Sequence, residues 1–471
     1  MTHHRVGDFA PFEERMRREG LPDIVIDNFH YYYNMVVEGN EGLIPEDAIE
    51  PVTAVADIKE MSAFAAAGRA AVTRAAVLKL NGGLGTSMGL DKAKSLLVAR
   101  DGLTFLDIIA RQNIALSEHY GQPIPLILMN SFNTDEDSRA VLAQYPALKH
   151  DLPLTMMQHK VPKVLQAMLA PAEWPANPDL AWCPPGHGEV YIALATSGML
   201  QALLDQGVEY LFISNVDNLG ATLDTAILGY FAQQQVPFLM EVTDRTEADK
   251  KGGHLARRKD GQLILREVAQ CPDEDLAAFQ DVTRHKYFNT NNIWVNLKQL
   301  KQLLEEHNNV LKLPMIRNAK TLDPRDSSSP AVFQLETAMG AAIAVFPGAQ
   351  AVRVTRERFM PVKLCSDLLA LRSDVYVLDE DYCIRTNPER QLGPITISLD
   401  STYYKLIKDF EQRFPYTPSL VNCASLSVKG DVVFEQDITL RGSVSVVNRS
   451  GVQCYLPAGS TINDTTYEVV A

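Results

Sequence analysis

The stretch VLKLNGGLGTSMGLDKAKSLL, residues 77–97, sets four glycines, Gly82, Gly83, Gly85 and Gly89, between an apolar entry from Val77 to Leu80 and the pair Lys94–Ser95. Glycines that follow a strand let the backbone approach a ligand closely or turn at positive φ, and phosphate is the usual ligand. Gly83, Gly85 and Gly89 read G-x-G-x-x-x-G, which departs from the dinucleotide fingerprint G-x-G-x-x-G, and no acidic residue closes a compact βαβ unit behind them. The Gly-Lys-Ser/Thr phosphate loop is absent as well, because Lys94 follows Ala93. On these residues alone the stretch reads equally as a phosphate loop or as a glycine-rich surface turn.

Four further clusters bear polar chemistry. In YLFISNVDNLGA an apolar run ends in Asn215, Asp217 and Asn218; an Asp at the carboxyl end of a buried strand can hold a divalent cation, or can cap the helix that starts near Asp224. WCPPGHGEVY places His187 between Gly186 and Gly188 after two prolines, a rigid loop that brings backbone and imidazole to a ligand or simply caps the next helix. Asn289, Asn291 and Asn292 in FNTNNIWVNL precede a strand by this reading; their amides suit sugar hydroxyls, and Asn is also a common turn residue. Lys363, two residues after Pro361 in RERFMPVKLCSDLLAL, is a point charge suited to phosphate at the start of a helix-like segment.

The elements that must position these groups follow from periodicity. Residues 1–75 read as an N-terminal helical extension, with FEERMRREG, IDNFHYYYNMVVEG and MSAFAAAGRAAVTRA carrying apolar residues at helical spacing. From Val77 short apolar strands, AAVLKL, PLILMN, EYLFISNV, PFLMEVT and IWVNL, alternate with helices such as TFLDIIARQNIALSEHY and EVYIALATSGMLQALLDQG. That alternation predicts a mostly parallel α/β sheet, with ligands beyond the carboxyl ends of its strands. HLARRKDGQLILRE is predicted to be a hairpin turning at Asp260–Gly261, with no obvious chemistry. After about residue 395, short β-branched pieces broken by Gly430, Gly442 and Gly451 suggest rungs of a β-solenoid, with a small β-sandwich as the alternative.

The 471 residues, 46% hydrophobic, describe a soluble globular chain of two or three structural units. A net charge of −14 provides no basic field for a nucleic-acid polymer, so an anionic ligand must be bound locally. No apolar run approaches the roughly 20 residues that span a bilayer, and the opening MTHHRVGDFAPFEERMRREG has no apolar signal core. A cytoplasmic location without membrane contact is expected. The six cysteines, at 183, 271, 365, 383, 423 and 454, contain no C-x-x-C pair, which predicts reduced, packed thiols and no zinc site.

Taken in order, KLNGGLGTSMG…KS, PPGHG, SNVDNLGA, FNTNNIWVNL, QLETAMGAAI and RFMPVKLCSDLL resemble the eukaryotic-type UTP–glucose-1-phosphate uridylyltransferases, or UDP-glucose pyrophosphorylases, over about residues 77–375, with further likeness in PSLVNCASLSVKGDVVF. The resemblance implies a Rossmann-like nucleotidyltransferase core at 76–395, preceded by the extension at 1–75 and followed by a short left-handed β-helix at 396–471. It implies UTP, glucose 1-phosphate, UDP-glucose and pyrophosphate as reactants and products, with Mg2+ as cofactor. Leu80, Asn81, Gly82 and Gly83 then form the nucleotide loop, Gln158 meets the uracil edge, Gly186 lies at the nucleotide, and Lys94 and Lys363 are the catalytic lysines on the phosphates. His187, Asn215, Val216, Asp217 and Asn291 fall to the sugar phosphate, with Asp217 also contacting UTP and ligating the metal. The sequence DKA before Lys94 departs from the Gly-Pro of many relatives. The alternatives are a relative acting on another sugar 1-phosphate and a non-catalytic nucleotide-sugar scaffold; assembly as a homo-oligomer stays open.

Overall fold

Eight strands form the main path of an eleven-stranded central sheet in the computed structural model, which describes residues 7–469; the first six and last two residues, with whatever was read on them, lie outside it. In chain order these are β1 (Ala56–Asp57), β2 (Ala75–Asn81), β3 (Leu126–Asn130), β4 (Thr155–Met157), β5 (Tyr210–Asn215), β6 (Phe238–Asp244), β7 (Tyr287–Asn296) and β8 (Gln350–Arg353). They lie side by side as β1-β8-β6-β7-β5-β2-β3-β4. Every neighbouring pair is parallel except that β7 runs antiparallel to both β5 and β6. The sheet is therefore mixed and mostly parallel, as the alternation of strands and helices predicts.

A sheet covered on both faces requires strands apolar on both faces. In β2 every residue is buried; Ala75 and Val77 enter one hydrophobic core, whereas Ala76, Leu78 and Leu80 enter the other. Of its two polar residues, Asn81 ends the strand and Lys79, 2% exposed, donates to Ser214 Oγ and the Ala221 carbonyl, each at 2.7 Å. Burial lowers its pKa to about 7. Lys79 thereby ties β2 to β5 and to the loop that follows β5.

The helices Ala10–Arg18 and Asp23–Val37 form where the helical spacing places them, and bury Phe12, Phe29 and Tyr33 in the core shared with Leu78 and Leu80. The N-terminal segment is not helical throughout: β1 pairs with β8, and the strand Ile49–Pro51 pairs with the hairpin His254–Arg258/Leu263–Arg266. EVYIALATSGMLQALLDQG forms two helices, Val190–Thr196 and Met199–Asp205, because Gly198 at φ +74° interrupts it. STYYKLIKDFEQRF likewise divides, into Ser401–Tyr404 and Ile407–Arg413.

At the C-terminus, Thr396–Leu399, Cys423–Lys429 and Thr439–Val447 pair in parallel, the last also with Thr461–Asn463 and Thr466–Glu468. A second parallel ladder joins Val432–Phe434 to Cys454–Leu456. Successive parallel rungs on more than one face are solenoid geometry, and the antiparallel sandwich is excluded. Gly430, Gly442 and Gly451 all take positive φ, Gly430 and Gly451 between strands and Gly442 within Thr439–Val447.

Candidate active site

The parallel strands β4, β3, β2 and β5 are adjacent and end in register, with Met157 opposite Asn130, Asn130 opposite Asn81 and Leu80 opposite Asn215. Beyond those carboxyl ends opens a cleft of about 400 Å3, the position where open α/β sheets bind ligands. Leu80, Gly82, Gly83, Lys94, Gln158 and Gly186 line it, as do His187, Asn215, Val216 and Asp217. Three of the residues that the resemblance assigns to the site are not on its wall. Asn81 is fully buried and donates to Asn130 Oδ1 at 2.8 Å and Ser138 Oγ at 2.7 Å, holding β2 to β3. Asn291 and Lys363 stand nearby and are treated below.

The glycine loop closes on itself: the Lys94 amide donates to the Gly83 carbonyl at 3.1 Å. That closure turns the Lys94 side chain into the cleft, where Nζ meets Asp217 Oδ2 at 2.6 Å. Both side chains are only 14% exposed. Asp217 is no helix cap, because Asp224 caps Thr225–Gln233 itself through the amides of Ala226 and Ile227. Its other oxygen, Oδ1, is buried without a hydrogen-bond partner. A single unpaired carboxylate oxygen beside the cleft fits a hard divalent cation completed by substrate oxygens and water. Among the described residues no three His, Cys, Asp or Glu side chains converge on a metal, so the protein alone builds no closed cage.

A Cβ at Gly82 would lie 2.6 Å from Gln158 Oε1, so a side chain there would push the Gln158 amide aside. Gly186 combines φ +82° with a Cβ position 2.4 Å from the Thr337 carbonyl oxygen. The QLETAMGAAI segment backs this loop: the Thr337 amide donates to Pro185 O at 3.0 Å, and the Met339 amide donates to His187 Nδ1 at 3.0 Å. An imidazole that accepts at Nδ1 carries its proton on Nε2. Burial, aided by the Lys363 charge, lowers the His187 pKa to about 4 and keeps the ring neutral.

FNTNN lies inside β7 rather than before it. Glu241 faces Asn292 while the next residue, Val242, faces Asn289, so Thr290 and Asn291 form a bulge with Asn291 at φ +58°, a conformation Asn tolerates. Asn289 and Asn291 exchange hydrogen bonds at 2.9 and 3.0 Å. Since Ile213 pairs with Ile293, the bulge falls beside Asn215, at the cleft edge of the sheet. Asn292 faces inward, donating to Glu241 Oε2 and Arg358 O at 3.0 Å each and accepting from Asn218 at 3.2 Å.

That buried network also holds the last segment. Asn218 donates to Arg358 O at 3.0 Å and accepts from the Met360 amide at 2.9 Å, and the Val362 amide donates to the Asp217 carbonyl at 3.1 Å. Lys363 follows directly, exposed, with its own amide held by Asp367 Oδ2 at 2.8 Å. Its charge reaches both His187 and Glu267. In the sequence Glu267 is only the end of a hairpin without obvious chemistry. Its carboxylate packs where a Gly253 Cβ would sit, 2.5 Å away, and burial raises its pKa while Lys363 opposes the rise. No local pattern marks it; only the fold brings it to Lys363.

A mostly parallel sheet with a glycine loop, an Asp–Lys pair and a neutral histidine at its strand ends defines an α/β protein that handles phosphate esters. Residues 26–441 match the profile of the UTP–glucose-1-phosphate uridylyltransferases, and the chain belongs to that family. It is 43% identical over 394 residues to the UTP–glucose-1-phosphate uridylyltransferase of Saccharomyces cerevisiae, covering 83% of this chain and 78% of the relative. Identity to the enzyme of that name from Solanum tuberosum is 41% over 433 residues, 90% of this chain and 85% of the other. A crystal structure of a mutant UDP-glucose pyrophosphorylase from Leishmania major in complex with UDP-glucose superposes with a TM-score of 0.92 at 44% identity, covering 97% of this chain and 98% of the other.

Proposed function

We propose that the cleft transfers the uridylyl group of UTP to glucose 1-phosphate, releasing pyrophosphate and forming UDP-glucose in a reversible reaction. The observation that carries this reading is the Lys94–Asp217 pair at the ends of β2 and β5, facing Gln158 and His187 across one cleft in a chain of this family. In this assignment the backbone from Leu80 to Gly83 cradles the nucleotide, Asn81 keeps that backbone in place, and Gln158 and Gly186 bound the base side. His187, Asn215, Val216 and Asn291, joined by Glu267, face the sugar phosphate.

A phosphate oxygen of glucose 1-phosphate attacks the α-phosphorus of UTP. The bond from that phosphorus to the oxygen bridging to the β-phosphorus breaks, and pyrophosphate leaves with the electron pair. The attacking phosphate is already ionised, so no side chain need take a proton. What the site supplies is alignment and positive charge. Lys94 and Lys363 supply two charges, and neutral His187 offers its Nε2–H to an oxygen without gaining or losing a proton. Mg2+, which Asp217 Oδ1 would help to hold, neutralises phosphate charge when bound.

The division at residues 75 and 395 belongs to the same proposal: an extension (1–75) that braces the sheet, a catalytic unit (76–395) and the solenoid (396–471). So does a cytoplasmic location, supported by the absence, among the described residues, of any helix long and apolar enough to cross a membrane. The test is pyrophosphate release from UTP with glucose 1-phosphate, galactose 1-phosphate and N-acetylglucosamine 1-phosphate. The expected result is release that requires a sugar phosphate and is fastest with glucose 1-phosphate. Preference for another sugar would reassign the acceptor, and binding of UTP without turnover of any sugar would leave a scaffold.

A further inference from the structure

On the base side of the cleft a Cβ at residue 82 would meet Gln158 Oε1 at 2.6 Å, the backbone amide of Gln158 donates to Asn130 O at 2.7 Å, and Ser131 Oγ donates to Gly82 O at 3.0 Å. These bonds fix the backbone of Gln158 and the carbonyl of Gly82 to β3 and the residue that follows it. A two-residue ladder, Val161–Pro162 with Trp182–Cys183, joins the Gln158 segment to the opposite wall, Gly186 and His187, three residues away from each; beside the pocket itself a second tie links the two walls.

Glu189 bridges them. It lies two residues beyond His187, its side chain is 2% exposed, and it stands behind the wall of the cleft. One carboxylate oxygen, Oε2, accepts the backbone amide of His159 at 3.2 Å, while Oε1 pairs with the ring Nδ1 of the same residue. His159 itself lines the cleft, next to Gln158. On its far side, Nε2 of the ring lies 3.4 Å from Thr196 Oγ1, on the helix that Glu189 leads into. A buried carboxylate is costly unless its hydrogen bonds are satisfied, and His159 provides both of the bonds seen here. Burial raises the Glu189 pKa and the bonds to His159 oppose the rise. A charge buried at this cost, holding one segment by backbone and side chain together, acts as a clamp.

We propose that Glu189 is a positioning residue for the base: through His159 it locks the Gln158 strand end to the Gly186–His187 loop, sets the width of the base pocket, and so sets the preference for UTP over CTP. Uracil and cytosine differ by an exchange of donors and acceptors on one edge, so the selectivity depends on an amide that cannot shift to suit either. The inference rests on the assignment of Gln158 to the uracil edge.

The experiment compares kcat and KM for UTP and for CTP in the wild type, Glu189→Ala, Glu189→Gln and His159→Ala, with KM for glucose 1-phosphate and a thermal midpoint for each. In Glu189→Ala the expected changes are a rise of about tenfold in KM for UTP and a UTP-to-CTP ratio of kcat/KM at least about fivefold nearer to unity. KM for glucose 1-phosphate should rise less than KM for UTP, because His187 keeps the bond from the Met339 amide. Glu189→Gln keeps an acceptor for the His159 amide and should recover most of the ratio. His159→Ala, at a residue whose side chain touches the cleft, should shift the ratio the same way and carries the test if Glu189→Ala does not fold. An unchanged ratio in folded variants, or an equal loss with both nucleotides, overturns the role of Glu189 alone. A wild type without preference for UTP overturns the assignment of Gln158 and this inference with it.

Discussion

Lys363 stands exposed, one residue beyond the amide that holds Asp217, so its removal disturbs charge and leaves packing intact. Lys363→Ala is expected to lower kcat by about a hundredfold or more, because stabilisation of charge that grows in the transition state is lost. The thermal midpoint should stay unchanged; an equal loss in substrate affinity with kcat preserved would make Lys363 a ground-state binder. His187 gives a pH expectation. Its folded pKa is about 4, below the ordinary value near 6.5, so between the two the unfolded chain binds a proton that the folded ring refuses. Its contribution to stability is whole above about pH 6.5 and is lost as pH falls towards about 4. Catalysis by the neutral Nε2–H form should show no His187 ionisation between about pH 5 and 8. A wild-type pH–rate limb near neutrality that disappears in His187→Gln would contradict this.

At the scale of elements, three of the motifs read separately in the sequence prove to be one structure. SNVDN, FNTNN and RFMPVK interlock through Asn218, Asn292 and Glu241 behind the cleft, and Asn218 and Asn292 serve that network rather than a ligand. Glu241, fully buried, also accepts from Arg358 at 2.6 and 2.8 Å and from Trp294 at 2.9 Å. Asn292→Ala should therefore cost roughly 1–3 kcal/mol, because buried polar partners are left unpaired. Denaturant unfolding measures that, and kcat should fall with it as the Lys363 segment loosens; full stability would remove the network from the account. The strands β2, β3, β5, β6 and β7, the helix Phe105–Tyr120 and the hairpin at Asp260–Gly261 were legible because apolar periodicity and turn residues are local signals, whereas β1, β4 and β8, two to four residues long, are too short to show a period. The bulge in β7 was not, since Asn reads as a turn residue until the partner strand shows two residues facing one. Glu267 and Glu189 were invisible for a related reason: their roles come from pairings across the fold.

For the whole molecule, the net charge of −14 makes the proposed site for two polyanions a local exception, with Lys94 and Lys160 on the cleft wall and Lys363 close by. The charge of Lys94 is paired with Asp217. The cleft also lacks an activated nucleophile. Cys183 is buried with its pKa pushed up to about 12, Ser131 donates its hydroxyl to Gly82 O, His187 accepts at Nδ1 from Met339, and His159 is bound by Glu189. The proposed function has uridylyl transfer pass directly from UTP to the sugar phosphate, without a covalent enzyme intermediate. Isotope exchange tests this claim most directly: radiolabelled pyrophosphate is incubated with UTP and enzyme, with and without glucose 1-phosphate. The account predicts label entering UTP only when glucose 1-phosphate or UDP-glucose is present; label appearing in UTP without either would reveal a uridylyl-enzyme and contradict it.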